Sequence, residues 1–598
     1  MELILLFTKK LNKIKEIILS KKEICVIVAI VIISLFPLYY PGFIYTHDGI
    51  IHLFRTQGAY ENIVNFDIFN RIYYNMINGQ GYGWGIFYPP LSAIIPAIFM
   101  CFGVSLFTAE KTFLILASIL AGIFAYKLFM ELYDNKFCAM LVAILYVLSP
   151  YKLNQILIRG AMGEVLAFTF MPLVILGLIK ILKGEGKYKY YFILGMTGIV
   201  YSHIISIIYT TIFGFLFLIL NYKKLFKKKV IIDLIISSII IVILSLPIIV
   251  PVLEHQSSQN YIISSIKTDV KDRVVHPGQL ISSSIEGKEA ENTGYYSNDK
   301  EMNYMIGMPF IVLILLIPFV YKEIKSEEGN IKNIIIFSVL FAISVFMMIF
   351  PGIWNKTNIL DTIQYPWRLL LYSVIFISAI SGYIIKPLIK KENQYLIFIV
   401  IVSYCLLFSF MIGSNVRFAK TLGSEFNFAN QELKNGDDYG TLSFSIGYAH
   451  EYLPNNMSTD IIIEKENKVD IISGDAVINK IYKEKNMLKI NGKNNNQNTK
   501  LELPLIYYKG YDISIKNGNS NINNIKYEMS DKGYIVIELN DISEFEISAK
   551  YTGTTIYKIC DILAIIVAII YIIYILINKF KGEKNDERIN ITSSTLLQ

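Results

Sequence analysis

GFIYTHDGIIHLFRTQGAYENIVNFDIFNRIYY, residues 42–74, follows an apolar run from Ile24 to Tyr40 and carries His47, Asp48, His52 and Arg55. The run is about as long as a helix must be to cross a bilayer, so Asp48 emerges at a membrane face within a few residues of the exit. Pro37, Pro41 and Gly42 end that helix and put His47 and Asp48 in a turn. The next residues space apolar side chains at helical intervals around His52, Arg55, Tyr60 and Glu61, which predicts a helix along the membrane surface with Asp48 at its start. A plain capping carboxylate would occupy the same position.

Working outward, 54% of the 598 residues are hydrophobic and 17% are charged, a balance that excludes a soluble globular protein. The reading is a mainly α, polytopic helical membrane protein of about 12 to 13 apolar helices with an extracytoplasmic C-terminal β-rich domain. The net charge of +8 comes from Lys and Arg in short loops, which orient a membrane protein and do not indicate a nucleic-acid partner. Cys25, Cys101, Cys138, Cys405 and Cys560 lie in or beside apolar runs with no metal-ligand spacing. The Lys-rich start precedes the first span without a small-residue cleavage site, so the span reads as a retained anchor with a cytoplasmic N-terminus.

KGEGKYKYY (183–191), KKLFKKK (223–229), YKEIKSEEGNIKN (321–333), KPLIKKEN (386–393) and the tail from Lys579 go to the cytoplasm. Residues 42–85, 150–163, 202–205, 252–304, 352–366 and 413–555 then face outside. This divides the chain into a membrane domain (1–412), with its larger outer loops at 42–85 and 252–304, a β-rich domain (413–555), a final span (556–579) and a cytoplasmic tail (580–598). Three apolar stretches, 86–104, 109–131 and 137–149, join two outer segments, so one must be re-entrant or misbounded; YPPL at 88–91 points to the first. The run from Tyr190 to Asn221 is either a hairpin with His203 at its outer apex or one tilted helix with His203 bonded to a carbonyl. Polar turns between alternating stretches such as GYIVIEL mark the β-rich domain.

Ionisable residues at membrane depth are costly and usually functional. Besides Asp48, those on the outer side are Arg159 and Glu164 in LIRGAMGEVLAFTFMPL (157–173), His203, Glu254 and His255 beyond Pro247 and Pro251, and Arg368 in IQYPWRLL (363–370). Such a set suits a phosphorylated or polyhydroxylated ligand, because Arg pairs phosphate oxygens and a carboxylate takes a proton from a hydroxyl. Each has a plainer role too. Arg159 and Arg368 could anchor helix ends in headgroups, Glu164 could favour a helix N-terminus, and Glu254 and His255 could simply open an exposed loop.

THDGIIHLFR after the first span, FYPPL (87–91) and RGAMGE (159–164) resemble the GT-C class of polytopic glycosyltransferases, with its acidic first external loop and external C-terminal domain. RGAMGEVLAFTFMPL, IQYPWRLL and HEYLP (450–454) further resemble bacterial membrane proteins labelled "6-pyruvoyl-tetrahydropterin synthase-related". The GT-C resemblance implies an inverting transfer of sugar from a polyprenyl-phosphate donor in the bilayer to an envelope glycan or glycolipid acceptor on the outer face. It implies Asp48 and Glu164 as catalytic carboxylates, Asp48 acting as base or helping hold a divalent cation. His47, His52, Arg55, Arg159, His203, Glu254, His255 and Arg368 would bind substrate. RGAMGE departs from the oligosaccharyltransferase branch, which has a paired carboxylate and a tryptophan-rich peptide-acceptor motif; nothing here supports a protein acceptor. Pterin chemistry is not expected, since it needs clustered zinc-binding histidines and the six here are dispersed. Two other classes fit the pattern: a transporter or flippase of a lipid-linked envelope precursor, and a non-catalytic scaffold for envelope assembly.

Overall fold

Helices account for most of the apolar sequence in the computed structural model, which describes residues 21–74, 76–266, 269–282, 302–327, 329–354, 363–414, 416–419, 450–518 and 520–595. Seven described helices are long and apolar enough to cross a membrane: Leu106–Tyr133, Met162–Leu182, Lys228–Ser258, Asn330–Ile349, Pro366–Leu388, Gln394–Ser414 and Thr555–Asn578. Lys136–Val147 and Pro150–Leu157, bent by 45° at their break, make an eighth if they count as one span. The expected count of about 12 to 13 is therefore corrected downward. Hydropathy counts apolar residues, whereas crossing needs unbroken helix. Leu91–Cys101, the only α-helix of that length in the 86–104 stretch, has 11 residues and rises about 16 Å against a hydrocarbon core of about 30 Å. The run from Tyr190 is divided into Tyr190–Val200 and Ile204–Leu220 with His203 in the break, the two short helices of the hairpin reading, and neither is among the seven.

The spans are not equivalent. Met162–Leu182 and Pro366–Leu388 are 89% and 94% buried within the protein, against 11% for Thr555–Asn578 and 28% for Lys228–Ser258. The first two form the centre of the bundle and the last two its perimeter. Glu164 sits in the first turn of one central helix and Arg368 in the opening turn of the other, so the most enclosed helices deliver charged side chains to one place.

Asp48 precedes the helix Gly49–Val64, the stretch read from sequence as a surface helix and so named below, but its side chain makes no capping hydrogen bond. That helix and the segment after it carry the C-terminal domain, which holds two antiparallel sheets. One has four strands in the order Asp470–Ser473, Asn498–Ile506, Tyr534–Asn540, Tyr527–Met529; the other has five, in the order Ala476–Glu484, Met487–Asn494, Glu544–Tyr551, Tyr511–Asn517, Ser520–Ile522. Alternating burial along Glu544–Tyr551 shows one face packed inward. Residues 420–449 of the expected 413–555 domain and 283–301 of the expected outer loop lie outside the described residues.

Domain and surface helix share one apolar core, in which Ile50, Leu53, Phe54, Trp84 and Phe87 join Tyr452, Leu453, Leu503, Ile506 and Tyr534. Gln80 pins the joint. Its Nε2 donates to Ile462 O at 3.1 Å and Glu466 O at 2.8 Å, and its Oε1 accepts from Tyr534 Oη at 2.6 Å.

Candidate functional site

Two backbone hydrogen bonds set the first half of the site. His47 N–H donates to Ile158 O at 3.1 Å and Asp48 N–H donates to Arg159 O at 2.8 Å, so the turn after the first helix lies against the RGAMGE turn. Gly160 makes that approach feasible. Its φ is +64° and a Cβ there would overlap Thr46 Oγ1.

The side chains complete what the backbone begins. Arg159 Nη2 meets Asp48 Oδ2 at 3.1 Å, and Nη1 donates to Glu164 Oε1 at 2.8 Å and Gln155 Oε1 at 2.9 Å. Glu164 also accepts from Arg368 Nε at 3.1 Å and Tyr151 Oη at 2.9 Å, and His203 Nε2 lies 3.8 Å from its Oε1. Arg368 is held further by Ile363 O and Gln364 Oε1 at 3.1 and 3.0 Å, while the Trp367 ring lies 4.6 Å from the Arg159 guanidinium. Two carboxylates thus face two guanidiniums, and charge-assisted hydrogen bonds fix both arginines in orientation. Glu164 is enclosed at 3% side-chain exposure, whereas Asp48, at 36%, forms the open rim.

His52 and Arg55 occupy the adjoining turns of the surface helix. Arg55 Nη1 contacts His52 Nδ1 at 3.0 Å, Nη2 donates to Pro89 O at 3.0 Å, and the guanidinium stacks 4.0 Å from the Tyr88 ring centre. Burial, with help from Arg55 and Arg159, holds the His52 pKa well below the usual imidazole value, so the ring is neutral and accepts from Arg55. Among the described residues no carboxylate pairs with Arg55, and its Nε is buried without a partner.

Not every expected residue joins. Glu254 pairs with Lys509 at 2.9 Å and accepts from Thr554 Oγ1 at 2.8 Å. His255 contacts Tyr557 Oη and Pro251 O and lies among Phe87, Tyr261 and Tyr508. These two tie Lys228–Ser258 to the C-terminal domain and the last span, and belong to a different cluster. His47 is exposed at the rim.

Other contributors are not among the residues singled out from the sequence. Tyr151 and Gln155 are ordinary residues of a short helix until their neighbours are known. Glu110, bonded by Thr56 Oγ1 at 3.0 Å, lines a cavity of about 40 Å³ beside the Asp48 turn, with Leu38, Ile44, Phe107, Lys111 and Leu114. Glu451, in the HEYLP turn, lies within electrostatic reach of both Asp48 and Arg368. Among the described residues, no group of three or more His, Cys, Asp or Glu could hold a metal ion.

Fold and site together define an integral membrane protein whose central helices carry a buried ionic cluster under a C-terminal β-rich domain. Residues 86–282 match a family model described as "6-pyruvoyl-tetrahydropterin synthase related domain; membrane protein". Arg159, Glu164, His203, Glu254 and His255 fall in the matched stretch; Asp48, Arg368 and the β-rich domain do not. No curated protein matches the chain.

Proposed function

We propose that this protein is a membrane glycosyltransferase of the GT-C kind, moving a sugar from a polyprenyl-phosphate donor to an envelope acceptor at the outer face. The observation that carries this reading is the meeting of Asp48, Arg159, Glu164 and Arg368, drawn from three separate parts of the chain, at the ends of the two most enclosed helices. Ionic groups gathered at such depth are expensive unless they serve a ligand or one another.

The chemistry follows from the arrangement. A lipid-phosphate donor brings an anion to the membrane interface, and Arg159 and Arg368, already oriented by Glu164, supply positive charge that needs no reorganisation as the phosphate leaves. Arg55 adds a guanidinium without a carboxylate partner among the described residues. Asp48, the exposed member, engages the acceptor hydroxyl.

The reading predicts that Asp48→Asn, inserted and folded as the native chain, abolishes the envelope glycan that the native protein installs. Mass spectrometry of envelope glycans from cells carrying no protein, native protein and the variant tests it without a prior guess of sugar. Identical glycan profiles in all three would refute it.

A further inference from the structure

The β-rich domain does more than sit over the site. His450 takes a left-handed φ of +53°, which turns the chain so that the next three residues dock on the surface segment. Glu451 O accepts from Ile263 N–H at 2.7 Å, Tyr452 N–H donates to Tyr82 Oη at 3.1 Å, and Tyr452 O accepts from Tyr508 Oη at 3.0 Å. The Tyr452 ring stacks on Phe87 at 5.0 Å with 4° between planes and meets Trp84 edge-on at 5.0 Å. Trp84 and Tyr88 in turn flank Arg55. A backbone held at so many points places the Glu451 carboxyl reproducibly.

The other site carboxylates are already engaged. Glu164 is closed in by Arg159, Arg368 and Tyr151, and Asp48 has one oxygen on Arg159. Among the described residues, no side chain hydrogen-bonds or ion-pairs with the Glu451 carboxyl. We infer that Glu451 receives the proton of the acceptor hydroxyl during transfer, an assignment that rests on the glycosyltransferase reading. The acceptor oxygen bonds to the anomeric carbon as that carbon's bond to the donor phosphate oxygen breaks. The lipid phosphate leaves with the electron pair, beside Arg159 and Arg368, and the hydroxyl proton passes to the Glu451 carboxylate. Asp48 orients the hydroxyl.

The groups facing Glu451 explain why it suits the task. Asp48 from the surface-helix turn and Arg368 from the central-helix start act on it in opposite senses, and its charge is felt by Tyr82 and Tyr452. Burial first, then repulsion from Asp48, push its pKa up to about 7, while Arg368 opposes them. A base with that pKa is about half ionised at neutral pH and still holds a proton usefully. Because the ionised form is the acceptor, kcat/KM rises with pH through about 7 and levels above it.

The test uses full-length protein in proteoliposomes with polyprenyl-phosphate hexoses labelled in the sugar, and envelope glycans from cells lacking the protein as acceptor. E451Q is expected to slow transfer at least about 100-fold and to remove the acid limb from the residual rate. Infrared difference spectra read the same carboxyl without turnover: a titrating band is expected in the native protein, absent in E451Q and moved to lower pH in D48N. Native-like transfer and an intact acid limb in E451Q would overturn the assignment alone. A carboxyl band unchanged by E451Q would also overturn it. Absence of transfer by the native protein, with the band behaving as expected, would overturn the glycosyltransferase reading and the assigned role with it.

Discussion

Replacing Glu164 by Gln removes one negative charge from a cluster in which Asp48 and Glu164 balance Arg159 and Arg368. The amide keeps the shape, and its oxygen can still accept from a guanidinium, so what is lost is charge. Two guanidiniums at 9% and 11% side-chain exposure would then share one carboxylate, Asp48, which reaches only Arg159. Removing one partner of a buried ion pair destabilises by about 3–5 kcal/mol, because the remaining charge stays dehydrated. We expect Glu164→Gln to fall at the lower end of that range in mixed-micelle unfolding, since the hydrogen bond is partly retained. Adding Arg368→Gln should recover about 1–2 kcal/mol relative to the sum of the single changes, as for residues in one network. Glu254→Gln is the comparison. Its partner Lys509 is 48% exposed, and such a pair contributes at most about 1 kcal/mol. Equal, small losses for Glu164→Gln and Glu254→Gln, with no coupling to Arg368, would refute the reasoning.

Gly160→Ala adds a Cβ against Thr46 Oγ1 at a φ of +64°, whereas Gly184, at +80°, has open space around it. Thermal unfolding in detergent should show Gly160→Ala losing about 1–3 kcal/mol and Gly184→Ala about 1 kcal/mol. Gln80→Ala deletes three hydrogen bonds to the β-rich domain, each contributing about 1 kcal/mol. Hydrogen exchange should rise in Thr459–Lys465 and Tyr534–Asn540 while the spanning helices keep their protection.

How much of this was legible in the sequence depends on how far apart the partners lie. Asp48, Arg159, Glu164 and Arg368 stand out because each is ionisable at the edge of an apolar run, where dehydration makes charge conspicuous. Their meeting was suggested by a common side of the membrane, though only the backbone pairing of residues 47–48 with 158–159 fixes it. Glu254 and His255 stand out for the same reason, yet their partners Lys509, Thr554 and Tyr557 lie more than 250 residues away, and no local pattern announces them. Glu451 lies in HEYLP, which the sequence marks only as a resemblance: in a polar stretch one more glutamate has no evident role, and its burial comes from docking on Tyr82 and Ile263. The span count fails where apolar runs form helices too short to cross, as at Leu91–Cys101, whereas the break at Tyr201–His203 is the one the hairpin reading of that run expects. The β-rich domain was readable from alternation and polar turns, since its strands obey a period of two.

The most direct test of the central claim follows donor and product together. Purified protein in proteoliposomes, supplied with polyprenyl-phosphate hexoses labelled in both lipid and sugar and with envelope glycans, should release polyprenyl phosphate in step with labelled glycan. Asp48→Asn and Arg159→Gln should each abolish that coupled release. Labelled donor crossing the bilayer unconsumed, or equal release by the native protein and both variants, would contradict the account.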